Sequence, residues 1–232
     1  MKFTLRLFFL LFTVHCSLFT FSQEDVTALI NSVKAKLDKV NDYTATGILK
    51  TDVAFIKAPV SKVVLYYKKP DHFRLQKNGG ISILPKGGVS VNMRTVISTN
   101  SFIALDAGDA VINNVKTKVV KLLPNDENSD VVLSTLYIDE ANFLILKAVT
   151  TTRENGTYEI TMRYKKYADY GLPDKVVFSF DAKNYKLPKG ITLDFDEEKP
   201  ADMEKLKNKK GKVEIDYSSY TINKGVDDAV FK

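Results

Sequence analysis

The sequence predicts a mainly β fold with an N-terminal α-helix: a strongly curved antiparallel sheet, closed or nearly closed into a barrel, with the helix packed on it. Three observations carry that reading. A single amphipathic helical stretch comes after an apolar leader, period-two alternation governs most of the remaining chain, and turn residues divide the alternating runs at short intervals.

The leader is residues 1–22. Lys2 and Arg6 supply positive charge, Leu7 to Val14 is apolar apart from Thr13, and Thr20 and Ser22 place small residues at −3 and −1 of a cut before Gln23. This pattern is a secretory signal peptide, too short and wrongly flanked for a membrane span. A rival reading acylates Cys16, but Thr13, Val14 and His15 are not a lipobox and the apolar run resumes at Leu18. Residues 23–232 then form one exported domain with one histidine, His72, and no cysteine.

Over residues 24–40 the apolar positions Val26, Leu29, Ile30, Val33, Leu37 and Val40 recur at spacings of three and four, one face of a helix. Glu24 and Asp25 suit the positive end of its dipole, and Lys36 and Lys39 the negative end. The spacing predicts strands at 44–56, 62–67, 73–76, 131–138, 143–152, 158–165, 176–180, 191–196 and 213–218. Tyr158, Ile160, Met162 and Tyr164 alternate with Glu159, Thr161, Arg163 and Lys165, giving one apolar face and one wet face. Asn155-Gly156 reads as a two-residue hairpin turn, and Lys69-Pro70-Asp71, Asn78-Gly79-Gly80, Lys86-Gly87-Gly88 and Leu172-Pro173-Asp174 as further breaks. Residues 197–211 read as a solvated insertion.

The 232 residues carry a formal charge of +6, with 44% hydrophobic and 27% charged side chains, enough for a sizeable core and too apolar for disorder. Removing the leader also removes thiol chemistry. His72 sits beside Pro70-Asp71 with no G-x-S-x-G elbow, and Asp194 and Asp196 fall on the solvent side of their strand. The paired glycines open onto no helix, so they form no phosphate cradle. The run from Lys205 to Lys212 lacks interleaved aromatics, and export argues against nucleic acid. No enzyme signature remains, and no cofactor is implied. What remains is the apolar interior, with Phe55, Leu65, Phe73, Phe143, Met162, Phe178, Phe195 and Ile215 facing inward. Such a barrel is either filled or hollow, and barrel mouths are common ligand sites.

The order of motifs resembles one family across essentially the whole exported chain. After the helix comes Tyr43-Thr44-Ala45-Thr46-Gly47, then Lys69-Pro70-Asp71-His72-Phe73-Arg74-Leu75, then Leu136-Tyr137-Ile138-Asp139 leading through Phe143-Leu144-Ile145. The end is Tyr220-Thr221-Ile222-Asn223 with Asp227 to Phe231. This resembles the LolA-like periplasmic lipoprotein-carrier superfamily. The resemblance implies an unclosed β-barrel with a helical lid over a hydrophobic cavity that shields acyl chains from water. It implies a periplasmic carrier, binding acyl chains of lipoproteins or lipids and moving them towards the outer membrane, with an inner-membrane donor complex and an outer-membrane acceptor, and working as a monomer. The cavity and lid would comprise Leu29, Ile30, Val33, Leu37, Phe55, Leu65, Phe73, Phe143, Met162, Phe178, Phe195 and Ile215, with Arg74 helping to hold the cavity closed. The chain departs from the carriers in having no tryptophan. The same superfamily holds envelope sensors and partner-binding modules, so an interior-filled regulatory module is the alternative.

Overall fold

The computed structural model describes residues 23–52, 60–77, 97, 102–154, 156–181 and 210–231. Helix α1 (Gln23–Leu37) is followed by β1 (Asp42–Asp52), β2 (Ser61–Lys68), β3 (His72–Lys77), β4 (Phe102–Ile112), β5 (Val115–Pro124), β6 (Val131–Asp139), β7 (Leu144–Thr152), β8 (Gly156–Arg163), β9 (Lys175–Asp181) and β10 (Lys210–Ile222). All ten strands join one antiparallel sheet in the order β3-β2-β1-β10-β9-β8-β7-β6-β5-β4. Every strand therefore lies beside its sequence neighbour, and β10 returns to β1. The exception is β3 and β4, which are consecutive in the chain yet stand at the two edges. Pairing them would complete an up-and-down barrel, so among the described residues the sheet is an unclosed barrel, with no β3–β4 pairing.

Burial alternates as a one-sided sheet requires. Tyr43, Ala45 and Leu49, Val63, Leu65 and Tyr67, Tyr158, Ile160 and Met162, Val176, Phe178 and Phe180, and Val213, Ile215 and Tyr217 all face one continuous core. Val26, Leu29, Ile30 and Val33 of α1 are buried in the same cluster, so the helix lies on the concave side. There it packs against β4 and against the 3-10 turn Ala168–Tyr170 in the β8–β9 connection.

Several expectations need correction. The helix ends at Leu37, one turn before Val40, because Val40 N–H already bonds the Leu37 carbonyl in a tighter turn. Strands β4 and β5 are additional to those the spacing predicts. Phe143 is not the first residue of a strand: it closes the β6–β7 turn with φ 52° and, 40% exposed, lies outside the buried core. Gly156 is not a turn residue but the first residue of β8: it pairs with Thr152, at φ 74°. Strand β8 ends at Arg163, before Tyr164 and Lys165. Lys210 and Gly211 belong to β10 rather than to an insertion. Phe55, Phe195, the 191–196 strand, residues 197–209 and the leader lie outside the described residues.

Candidate functional site

One end of the concave side holds an apolar cleft. α1 and its continuation contribute Val33, Leu37 and Val40, β1 and β2 contribute Tyr43 and Tyr67, and the end of β8 contributes Met162 and Tyr164. The β6–β7 turn adds Phe143, Leu144 and Ile145 on one bank, and the β8–β9 connection adds Tyr170, Gly171, Leu172 and Pro173 on the other. The enclosed space amounts to about 40 Å³, room for only a few water-sized spheres.

Local chemistry fixes each bank. Asp139, itself buried, accepts from Ala141 N at 3.0 Å and Asn142 N at 3.3 Å through Oδ1, and from Asn142 Nδ2 at 2.8 Å through Oδ2. That locks the β6–β7 turn. On the opposite bank Gly171 takes φ 64°, and its N–H closes the 3-10 turn onto Ala168 O. A Cβ added there would come within 3.0 Å of Leu37 Cδ2, so the helix sits directly on this loop. Two lysines tie the helix end across the cleft: Lys36 Nζ donates to the Asn142 carbonyl, and Lys39 Nζ to the Asp169 carbonyl at 3.4 Å.

The floor is aromatic. Tyr43 lies 5.3 Å from both Tyr67 and Tyr220, and Tyr220 stands 4.8 Å from Tyr167 and 5.0 Å from Tyr217. Tyr220 Oη donates to Pro173 O at 2.8 Å, and Tyr164 Oη donates to Ile145 O at 2.9 Å. Burial pushes both hydroxyls well above the usual phenol range, so they stay neutral donors. The wall at Tyr164 thus presents a neutral ring whose hydroxyl is already committed to backbone, and Tyr220 behind Tyr43 is neutral and bonded in the same way.

The sequence-derived site residues fall into three groups. Val33, Leu37, Phe143 and Met162 line the cleft. Leu29, Ile30, Leu65, Phe178 and Ile215 are buried behind it, and Phe73 packs partly buried against the same core. Arg74 is not among the lining residues; its Nη1 donates to the Val230 carbonyl at 2.6 Å, tying β3 to the C-terminal 3-10 turn Asp228–Phe231. Lys68 pairs with Asp228 at 2.6 Å, and the His72 ring lies tilted against Phe231 with centroids 5.5 Å apart in the same junction. Sequence reasoning misses Tyr43, Tyr67, Tyr164 and the loop Tyr170–Pro173 as cleft residues. Alternation places the first three, but only the tertiary fold brings a loop over a helix end. Among the described residues no group of three or more His, Cys, Asp or Glu side chains is placed to hold a metal ion.

An unclosed antiparallel barrel with an amphipathic helix on its concave side is the LolA-like fold, and solved structures share it. The chain is similar to an outer membrane lipoprotein-sorting protein domain from Vibrio parahaemolyticus, with 12% identity over 90% of this chain and 97% of that one, at a TM-score of 0.57. It is also similar to a DUF1329 family protein from Desulfovibrio piger, with 11% identity over 89% and 97% and a TM-score of 0.54. A LolA superfamily protein from Nitrosomonas europaea gives 10% identity over 88% and 97%, also at 0.54. No protein-family model matches the sequence, and no curated protein does.

Proposed function

We propose that the chain is an exported, non-enzymatic carrier. It takes acyl chains of lipoproteins or lipids between α1 and the concave sheet and moves them towards the outer membrane through the periplasm. The observation that carries this reading is the cleft, lined by apolar and aromatic side chains and roofed by the end of α1. Each lysine tie is worth about 0.5–1.5 kcal/mol net. Lifting the whole helix would expose Val26, Leu29, Ile30 and Val33, about 6–12 kcal/mol of burial. An acyl chain burying about ten methylenes returns about 8 kcal/mol, the same order as the helix contacts it would replace, a near-balance suited to hand-over.

In this reading Val33, Leu37, Phe143 and Met162 touch the acyl chain, and Leu29, Ile30, Leu65, Phe178 and Ile215 form the wall into which it advances. Native mass spectrometry with lipid extraction, on protein purified from the periplasmic fraction without detergent, tests it. The expected result is a co-purifying acylated species that is lost in Leu37→Glu, a half-buried position whose substitution leaves the far-ultraviolet circular dichroism unchanged.

One observation favours a second reading, a partner-binding module with a filled interior: the core cluster is continuous from α1 across the inward faces of nine of the ten strands and into Phe73 and Leu75 of β3. A clean apo mass that stays apo when phospholipid or lipoprotein is offered would establish that reading instead.

A further inference from the structure

The rim of the cleft differs from the rest of the surface. Among the described residues Phe143 and Tyr170 are the Phe and Tyr side chains that are largely exposed, at 40% and 41%, and both line the cleft, from opposite banks. Neither is loosely held. Phe143 takes a left-handed backbone conformation that disfavours a bulky aromatic, in the turn locked by Asp139, and Tyr170 ends a 3-10 turn closed by Gly171. A turn of that geometry folds more readily with Gly or Asn, so an aromatic there is not explained by folding.

The β4–β5 hairpin ends at the same end of the sheet. Its last pairing with β6 is Lys118 with Ile138, so residues 112–117 project past the β6–β7 turn. The tip exposes Val111 and Val115 on either side of Asn113 and Asn114, both at positive φ. Four lysines stand around the cleft, Lys36 and Lys39 on α1 and its continuation and Lys165 and Lys166 in the β8–β9 connection. Lys36 and Lys39 donate to the Asn142 and Asp169 carbonyls, and Lys166 lies 5.1 Å from the centre of the Tyr167 ring. The same connections carry Asp139, Glu140, Asp169 and Asp174; Asp139 accepts from the amides of its own turn and Asp174 accepts from Lys165 N.

We infer that this end of the barrel docks on a lipid surface carrying anionic headgroups. Phe143 and Tyr170, with Val111 and Val115, seat in the interfacial layer, the lysines meet the headgroups, and the cleft faces the lipids. Isolated apolar tips on separate rigid turns, with lysines interspersed, suit a soft interface better than the contiguous packed patch a protein partner needs. The inference rests on the acyl-chain reading of the cleft for its direction, since docking would bring the cleft mouth to the source of its ligand.

The chain has no tryptophan, so Phe143→Trp makes a single reporter at the rim, with Tyr170→Trp as a second should the first fail to fold. Val132→Trp, 46% exposed at the start of β6 and so at the opposite end of the sheet, is the control. Each is mixed with vesicles of phosphatidylcholine and phosphatidylglycerol bearing brominated chains. The expected result is a blue shift and at least twofold quenching at position 143 or 170, none at 132, with quenching weakened in 0.5 M salt and in pure phosphatidylcholine. Rim and control reporters that behave alike would overturn the inference and leave a protein partner as the occupant of this face. Binding of a fluorescent fatty acid to the unsubstituted protein separates the two readings. Fatty acid bound without rim quenching removes the docking surface and keeps the carrier; rim quenching without fatty acid binding keeps the docking surface and removes the carrier.

Discussion

Gly47 shows how one missing side chain permits a strand pair. It lies at the bulge where the β1–β10 register slips, Thr46 facing Ser219 and Gly47 facing Tyr217. A Cβ there would stand 2.7 Å from the Asp216 carbonyl oxygen, a backbone atom with no rotamer to change. Gly47→Ala is expected to force the strands apart and cost about 1–3 kcal/mol, read as a lower urea midpoint. Glu214, on the outer face of β10, makes a different kind of contribution. It bonds Lys175, lies 3.3 Å from Lys212 and 3.7 Å from Lys50, and the Lys175 bond above all holds its carboxyl down at about 2. Because the folded value lies below the unfolded one, its stabilisation is complete above the ordinary glutamate range and is lost as pH falls toward 2. Glu214→Gln should therefore be less stable than the parent at pH 7, with the difference shrinking between roughly pH 4 and pH 2. Urea midpoints across that range check it; a constant difference would rule the ion cluster out.

At the scale of elements, the joint between α1 and β1 is made by a residue at the far end of the chain. Asn223, at φ 54°, accepts from Asn41 N at 2.7 Å and Asp42 N at 3.4 Å through Oδ1, and its Nδ2 donates to Lys39 O at 2.8 Å. Asp42 returns the contact by accepting from Lys224 N and Gly225 N. This clasp fixes the angle at which the helix leaves the sheet, and hence the roof of the cleft. Asn223→Ala is expected to cost about 1–2 kcal/mol and to speed hydrogen exchange at the Asn41 and Asp42 amides while β7 and β8 exchange as before. The Tyr220-to-Asn223 motif is legible in the sequence; its partner, about 180 residues away, is not. The β4–β5 hairpin fails to show for a local reason. Ala104, Ala107, Gly108 and Ala110 dilute the alternation in β4, and Val119-Val120 and Leu122-Leu123 mask it in β5. Asn113-Asn114, both at positive φ, is the one signal that could have found it.

For the whole molecule, the missing β3–β4 pairing among the described residues separates this fold from a closed barrel that fills itself. An open sheet with a helix on its concave side can exchange helix contacts for ligand contacts without breaking a strand ladder. If the cleft takes an acyl chain, a fatty acid at one hundred times its dissociation constant should stabilise the folded protein by about 2.7 kcal/mol, seen as a concentration-dependent rise in melting temperature. An interior that stays filled predicts no shift at any concentration. The tyrosine floor and the buried wall behind it stem from alternation and are open to sequence reading. The two banks, Asp139–Phe143 and Tyr170–Pro173, come from connections whose residues carry no periodic signal.

The sequence by itself determined the helix face, most of the strands and their inward side chains, because periodicity is a local property that backbone geometry imposes on neighbouring residues. It also determined the absence of thiol chemistry from residues 23–232 and, through the order of its motifs, the unclosed barrel. Only the tertiary structure decided that Phe143 turns outward to the rim, that Arg74 holds the C-terminal turn, and that the lysines ending the helix reach across to two loops. Those are contacts between residues distant in the chain. They depend on how far the sheet curves and where each connection lands, which no local pattern records.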